Sequence, residues 1–238
     1  MNEAPPDYDL RAGLPLVGTF VTLSEVTEAD IPALYTAYGL PASTAVFKYL
    51  PGGPPSSFED FHRFIASKIG LKTLCFLAVR ADPKHLSYGS YPEPDATTAS
   101  HAHNVPLGIL PLYMTDQING CLEVGAILGP QLQRTPASTE ANYLNLKHAF
   151  ETLGAHRVAW KFLARNEKSR GAAKRMGFVK EGLVREDRRW EGERVGLELW
   201  GMVKGEWEGA VKRGFETWLD RGNFWEDGKQ KRSLEECR

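Results

Sequence analysis

The residues of this 238-residue chain whose types and spacing could do chemistry are concentrated in Glu123-Val-Gly-Ala-Ile-Leu-Gly-Pro-Gln-Leu-Gln-Arg-Thr-Pro-Ala-Ser-Thr-Glu140. The stretch reads as a strand, a loop and the start of a long helix. Thr135 is suited to the N-cap and Pro136 to the first helical position, where a missing N–H is not needed. The unpaired N–H groups of Gln133, Arg134, Thr135, Ala137, Ser138 and Thr139 are then available to an anion such as a phosphate, with the charge of Arg134 beside them. A Thr-Pro pair also caps helices that bind nothing, so local physics leaves both roles open.

Glu123 lies on the strand before that loop among apolar neighbours. If burial raises its pKa it can serve as a general base, directly or through a water. A strand carboxylate of this kind can equally sit on the wet face and pair across to a neighbour. Ser169, in the first turn of a short helix that begins at Asn166, offers a hydroxyl donor, or it satisfies only local backbone. His101 and His103 form a His-x-His without Cys, Asp or Glu at zinc spacing, so no metal is expected. Cys75, Cys121 and Cys237 are an odd set without metal spacing, and a reducing compartment is expected.

The elements that must position these groups follow from periodicity. Strands are predicted at 18–23, 73–80, 105–114, 120–129, 156–163, 178–185 and 197–203, and helices at 24–38 (after a turn), 58–69, 135–153, 166–176 and 206–219. Tyr143, Leu146, Phe150 and Leu153 give the longest helix its apolar stripe, with Gly154 just past its end. Residues 81–104 carry no periodicity and read as a long loop insertion. His148 and His156 flank the end of the long helix and are expected to be structural. Trp200 and Trp207 are expected in the core, as is Trp190, and Lys229-Gln-Lys-Arg232 in a solvated polar tail.

Composition narrows the function. A hydrophobic content of 42% suits one sizeable core, and a single domain over 1–238 is expected, its core about 18–203, with a C-terminal helix and tail at 204–238. A net charge of −1 gives no reason to expect nucleic acid, which is bound by clustered positive charge. No stretch approaches the roughly 20 apolar residues of a membrane span, and no basic region followed by an apolar run opens the chain, so no membrane partner and a cytoplasmic location are expected.

The order of elements, together with Tyr49-Leu-Pro-Gly-Gly-Pro54, Leu132 to Ala141, Asn166-Glu-Lys-Ser169, Arg175-Met-Gly-Phe178 and the closing Trp218 to Phe224, resembles the GNAT acetyltransferase superfamily, in its Rim-type branch related to ribosomal-protein N-terminal acetyltransferases. The resemblance implies an α/β fold, an α+β mixed sheet that splays open at its centre and is flanked by helices. It implies acetyl-CoA as cosubstrate and coenzyme A as product. The pyrophosphate would lie on the 133–139 loop, although Pro136 and Ser138 stand where small residues are usual. The pantetheine would pair with backbone at Ile127 and Leu128 and with Asn166, the thioester sulfur would lie near Ser169, and Arg170 or Lys174 could meet the adenosine phosphate.

The chemistry so implied is direct attack of a neutral primary amine on a thioester in a ternary complex, with Glu123 as base and Ser169 as donor to the leaving sulfur, because Ala173 occupies the position where many members carry an acid tyrosine. The oxyanion is expected to meet a backbone N–H near Ile127, with Gly125 permitting the strand distortion that frees it. A small-molecule amine is the expected acceptor. A protein α-amine or lysine, and a non-catalytic acyl-CoA-binding role, are the alternatives. A homodimer is compatible with exposed apolar residues on the terminal helix.

Overall fold

The computed structural model describes residues 8–40, 42, 44–81, 86 and 105–238. One sheet runs through it: β1 (Leu16–Val17), β2 (Thr22–Glu25), β3 (Leu74–Ala81), β4 (Val105–Asp116), β5 (Cys121–Val124), β6 (Ile127–Leu128), β7 (Arg157–Leu163), β8 (Val179–Trp190) and β9 (Glu193–Val203). The spatial order is β1-β2-β3-β4-β5-β7-β9-β8, and β6 lies off this path on β4. All pairings are antiparallel except β5 with β7, which the intervening helix makes parallel. In place of one strand at 18–23 the chain forms the antiparallel pair β1 and β2, with residues 18–21 between them. Backbone N–H groups of Thr19, Phe20 and Val21 are instead consumed by the buried Glu140 carboxylate at 2.7, 2.6 and 2.9 Å. Residues 82–85 and 87–104, with His101 and His103, lie outside the described residues.

Alternation along the strands sends side chains to two apolar layers. On one face Leu110, Leu112, Leu122, Val158, Trp160, Phe162, Trp200 and Met202 pack with α3 (Pro136–Lys147), α4 (Glu167–Met176) and α6 (Lys212–Leu219). On the other, Ile109, Phe76 and Ala78 pack with α1 (Ile31–Ala37) and α2 (Phe58–Ala66). The polar side of α3 is buried as deeply as its apolar stripe, with Glu140, Asn142, Asn145 and His148 all below 7% exposure. Neighbours remote in sequence explain this. His148 Nε2 lies 3.1 Å from the Leu10 carbonyl, and the terminal helix covers the other flank through Tyr143–Phe215 and Phe150–Trp207 ring contacts. Burial pushes the His148 imidazole down, against the opposing pull of the Leu10 carbonyl and Asp9, so the ring is held neutral.

The C-terminal region departs from expectation. α5 (Lys204–Glu206) runs through a widened turn at Trp207–Val211 into α6, and Trp207, Val211, Phe215 and Trp218 are all buried, so the apolar stripe of this helix is used internally. The tail is folded, while Lys229, Gln230, Lys231 and Arg232 are exposed as expected. Phe224 pairs with Gln230 in an isolated bridge, buried Asn223 bonds the Trp218 carbonyl and the Arg232 N–H, and Leu234 is fully buried. Within the exposed basic run, Lys231 donates to the Gly222 and Asn223 carbonyls. Among the described residues no helix is long and apolar enough to cross a membrane.

Candidate active site

The sheet forks. β5 and β7 pair only through Cys121–Arg157, Leu122–Val158 and Glu123–Ala159; beyond Glu123 the chain stays with β4 through β6, whereas Trp160 to Leu163 continue with β9 alone. A gap therefore opens between β6 and β7, starting at Glu123. Gly125 and Gly129 direct their N–H groups to Pro111 and Leu107 on β4, and by the two-residue alternation of a strand Ile127 faces β4 as well. The Ile127 carbonyl also accepts the buried Tyr38 hydroxyl at 3.0 Å.

Ala126 and Leu128 are thus the residues whose backbone N–H groups face the gap, on either side of Ile127, near which an oxyanion donor was expected. Gln133 Nε2 donates to the Leu128 carbonyl at 3.0 Å, so this glutamine anchors the edge of the fork. The tight glycine is Gly129, where a Cβ would lie 2.5 Å from the Leu107 carbonyl oxygen. At Gly125 a Cβ would meet only Pro111, at 3.8 Å, so sterics do not demand glycine there.

The start of α3 is capped as expected: Thr135 Oγ1 accepts from the Ser138 N–H and donates to the Leu132 carbonyl, and Pro136 follows at the first position. This leaves fewer anion donors than the run of Gln133 to Thr139 implied. The Gln133 and Thr135 N–H groups close turns onto Pro130 and Leu132, Ser138 is capped, and Pro136 has none. Helix geometry leaves the Ala137 N–H without an intrahelical acceptor, and exposed Arg134, held at φ 64°, stands beside it. At the far end of α4, Arg175 reaches back to Thr139 Oγ1 at 2.9 Å and ties the two helices.

α4 starts where the fork opens. Asn166 caps it by accepting the Ser169 N–H at 3.1 Å, and Gly177, at φ 97°, ends it. Ser169 Oγ has no hydrogen-bond partner among the described residues and is half-buried. Arg170 is committed to protein: it bonds buried Glu198, Glu167 and the Ala164 carbonyl. Lys180 and Trp200 Nε1 complete the shell of Glu198, each at 2.9 Å. Burial opposes ionisation of Glu198, but the three donors outweigh it and hold its pKa at about 2. Arg170 therefore locks α4 to β9, and Lys174 is exposed.

Glu123 points to the face opposite α3, between Tyr113 on β4 and Ala159 on β7, and its Oε2 lies 2.7 Å from Lys161 Nζ. The carboxylate is about a quarter exposed. Burial, and then the negative charge of Glu123, raise the Tyr113 phenol, which stays protonated. On this face the fork is bounded by a clasp: Trp190, at the end of β8, stacks on Tyr49 with ring centroids 5.2 Å apart and donates through Nε1 to the Lys48 carbonyl at 2.9 Å. Trp200 and Trp207 are core residues as expected; half-buried Trp190 is not. Neither the Lys161 ion pair nor the clasp was visible in sequence, since the first joins residues of paired strands and the second joins the end of β8 to a turn far away in the chain. Among the described residues no group of His, Cys, Asp or Glu could hold a metal.

Residues 21–179, well over half the chain, match the Acetyltransferase (GNAT) domain family. The chain belongs to the GNAT acetyltransferase family. Over 102 residues it is 33% identical to a Bacillus subtilis (strain 168) protein named Putative ribosomal N-acetyltransferase YdaF; the match takes in 43% of this chain and 56% of that one, so the chain spans little more than half the length of this curated relative. A GCN5-related N-acetyltransferase from Brucella melitensis superposes with a TM-score of 0.79 at 26% identity, over 100% of this chain and 96% of the other. RimL, a ribosomal L7/L12 α-N-protein acetyltransferase solved in complex with coenzyme A, shares the fold with a TM-score of 0.61 at 16% identity, over 79% and 96%. In this family setting the forked sheet, capped α3 and Asn166-started α4 meet at one place.

Proposed function

We propose that this chain transfers an acetyl group from acetyl-CoA to the α-amine at the end of a peptide or protein. The fork carries the reading. Its edge offers the Leu128 N–H to an extended ligand in the manner of an added strand, with the Ala137 N–H and Arg134 at one end and Ser169 Oγ at the other, and these residues fit the extended, anionic shape of the cosubstrate. Acetyl-CoA supplies an activated acetyl thioester. The chain holds the acceptor amine on the Glu123 side, where the carboxylate takes the proton released as the C–N bond forms and the C–S bond breaks, and Ser169 offers a hydrogen bond to the departing sulfur.

Two considerations favour a terminal amine. At pH 7 an α-amine with a pKa near 8 is about a tenth neutral, whereas a lysine side chain is neutral in roughly one molecule in 2,500. The similarity to the B. subtilis protein, named for ribosomal acetylation, points the same way. A small-molecule primary amine is the second reading, favoured by the Trp190–Tyr49 clasp, which narrows the approach. Thiol release from acetyl-CoA, measured with peptides bearing free N-termini, polyamines, amino acids and aminoglycosides, separates these. Turnover with free but not N-blocked peptides is the expected result, turnover confined to small amines supports the second reading, and coenzyme A binding without any turnover overturns both.

A further inference from the structure

β6 is two residues long and, among the described residues, pairs in the sheet with β4 alone, through Gly108–Leu128 and Ile109–Ile127. A ladder this short has few bonds with which to hold its peptide planes at an open edge. The end of α1 braces it from behind. Tyr38, the C-cap of that helix, is fully buried and donates its hydroxyl to the Ile127 carbonyl at 3.0 Å. Its ring is fixed by edge-on contacts with Phe47 and Phe61, at centroid separations of 5.2 and 5.9 Å. One residue earlier, the Ala37 carbonyl lies so close that a Cβ on Gly129 would stand 2.9 Å from its oxygen. α1 therefore touches the chain on both sides of Leu128.

A trans peptide is planar, and its C=O and N–H point in opposite directions. The Ile127 carbonyl and the Leu128 N–H belong to one such plane, so fixing the carbonyl toward β4 and α1 sends the N–H into the gap. Gln133 holds the next carbonyl, that of Leu128. Burial pushes the Tyr38 phenol well above its ordinary pKa, against a smaller opposing pull from the Ile109 backbone, so it stays protonated and able to donate. Because the side chain is sealed from solvent, bulk water offers no ready substitute for that bond. We propose, on the acetyl-CoA reading above, that Tyr38 is a positioning residue for the cosubstrate: acting through the Ile127–Leu128 peptide, its hydroxyl holds the Leu128 N–H where an extended pantetheine chain can accept from it. The cost of fixing that plane is met during folding, so the bound chain finds a preorganised donor.

Tyr38→Phe removes the hydroxyl alone and keeps the ring between Phe47 and Phe61. Coenzyme A affinity is read by titration calorimetry, and the Leu128 amide by NMR of protein carrying isotope-labelled leucine, without and then with coenzyme A. In the parent protein the Leu128 amide proton is expected to move downfield on coenzyme A addition, as it gains an acceptor. Tyr38→Phe is expected to bind coenzyme A about tenfold more weakly and to shrink that movement, the loss of about one net hydrogen bond. Leu234→Ala, a core truncation in the C-terminal tail, is the stability control: it is expected to lower Tm at least as much with coenzyme A affinity unchanged. Parental affinity in Tyr38→Phe, an unmoved Leu128 amide in the parent, or a loss of affinity that follows Tm equally in both variants overturns the inference and leaves acetyl-CoA standing as cosubstrate. Parent protein that binds no coenzyme A overturns that reading itself, and the inference with it.

Discussion

Glu123 stands where two demands meet: a base needs access to the amine and readiness to take a proton, while the ammonium of Lys161 at 2.7 Å holds a carboxylate in place. Its position at the last paired residue before the fork puts that oxygen pair at the entrance to the gap. Replacing Glu123 by Gln is expected to cut turnover by about 10²–10⁴ while coenzyme A binding persists, and an unchanged rate and pH profile would remove it from the reaction. Ser169→Ala is expected to lower kcat about tenfold at saturating acetyl-CoA, the loss of one hydrogen-bond donor at a site of developing charge. Intact turnover would return Ser169 to a purely local part in the first turn of α4.

Among the elements, the fork depends on two helix starts and one ionic lock. Thr135→Ala removes the side-chain cap of α3 and is expected to cost about 1 kcal/mol in urea unfolding, together with weaker coenzyme A binding. Glu198 joins β9, β8 and α4 through Trp200, Lys180 and Arg170. Because its folded pKa of about 2 is below the unfolded carboxyl value, its contribution is complete above that unfolded value and is lost as pH falls toward about 2. Unfolding free energy should therefore decline between about pH 5 and 2, and Glu198→Ala should flatten that decline while costing roughly 3 kcal/mol at neutral pH, since it strands two cations and an indole N–H. A parallel decline in the variant would show that other carboxyls dominate acid unfolding.

Across the whole molecule, the tail is part of the fold. Phe224 contacts both Phe20 near the start of the sheet and Trp218 on α6, and Leu234 is sealed against them. Leu234→Ala is expected to cost about 3 kcal/mol and to lower Tm by roughly 6–12 °C in calorimetry. A fall of a degree or less would mean that the tail is held by its polar contacts alone. The same packing explains why α3 buries residues that its stripe leaves polar: it is wedged between the sheet, the N-terminal segment and the terminal helix.

Much of the site was legible before any coordinates. Periodicity placed nearly every element, Thr135-Pro136 and Asn166 marked the two helix starts, and Gly177 marked an end, because capping and amphipathicity are local properties carried by residues within a few positions of one another. Motif resemblance added the family and the candidate cosubstrate residues. Peptide direction at the fork was another matter: which of Ile127 and Leu128 faces the gap depends on register against β4. Lys161 meets Glu123 between strands, Trp190 meets Tyr49 between a strand and a turn, and Arg170 meets Glu198 between a helix and a strand, each pair far apart in the chain. Local chemistry thus named the elements and several actors, while the partners of each charge, and hence which groups remain to act, were settled by long-range packing, where burial and strand register outweigh any preference a short segment can express.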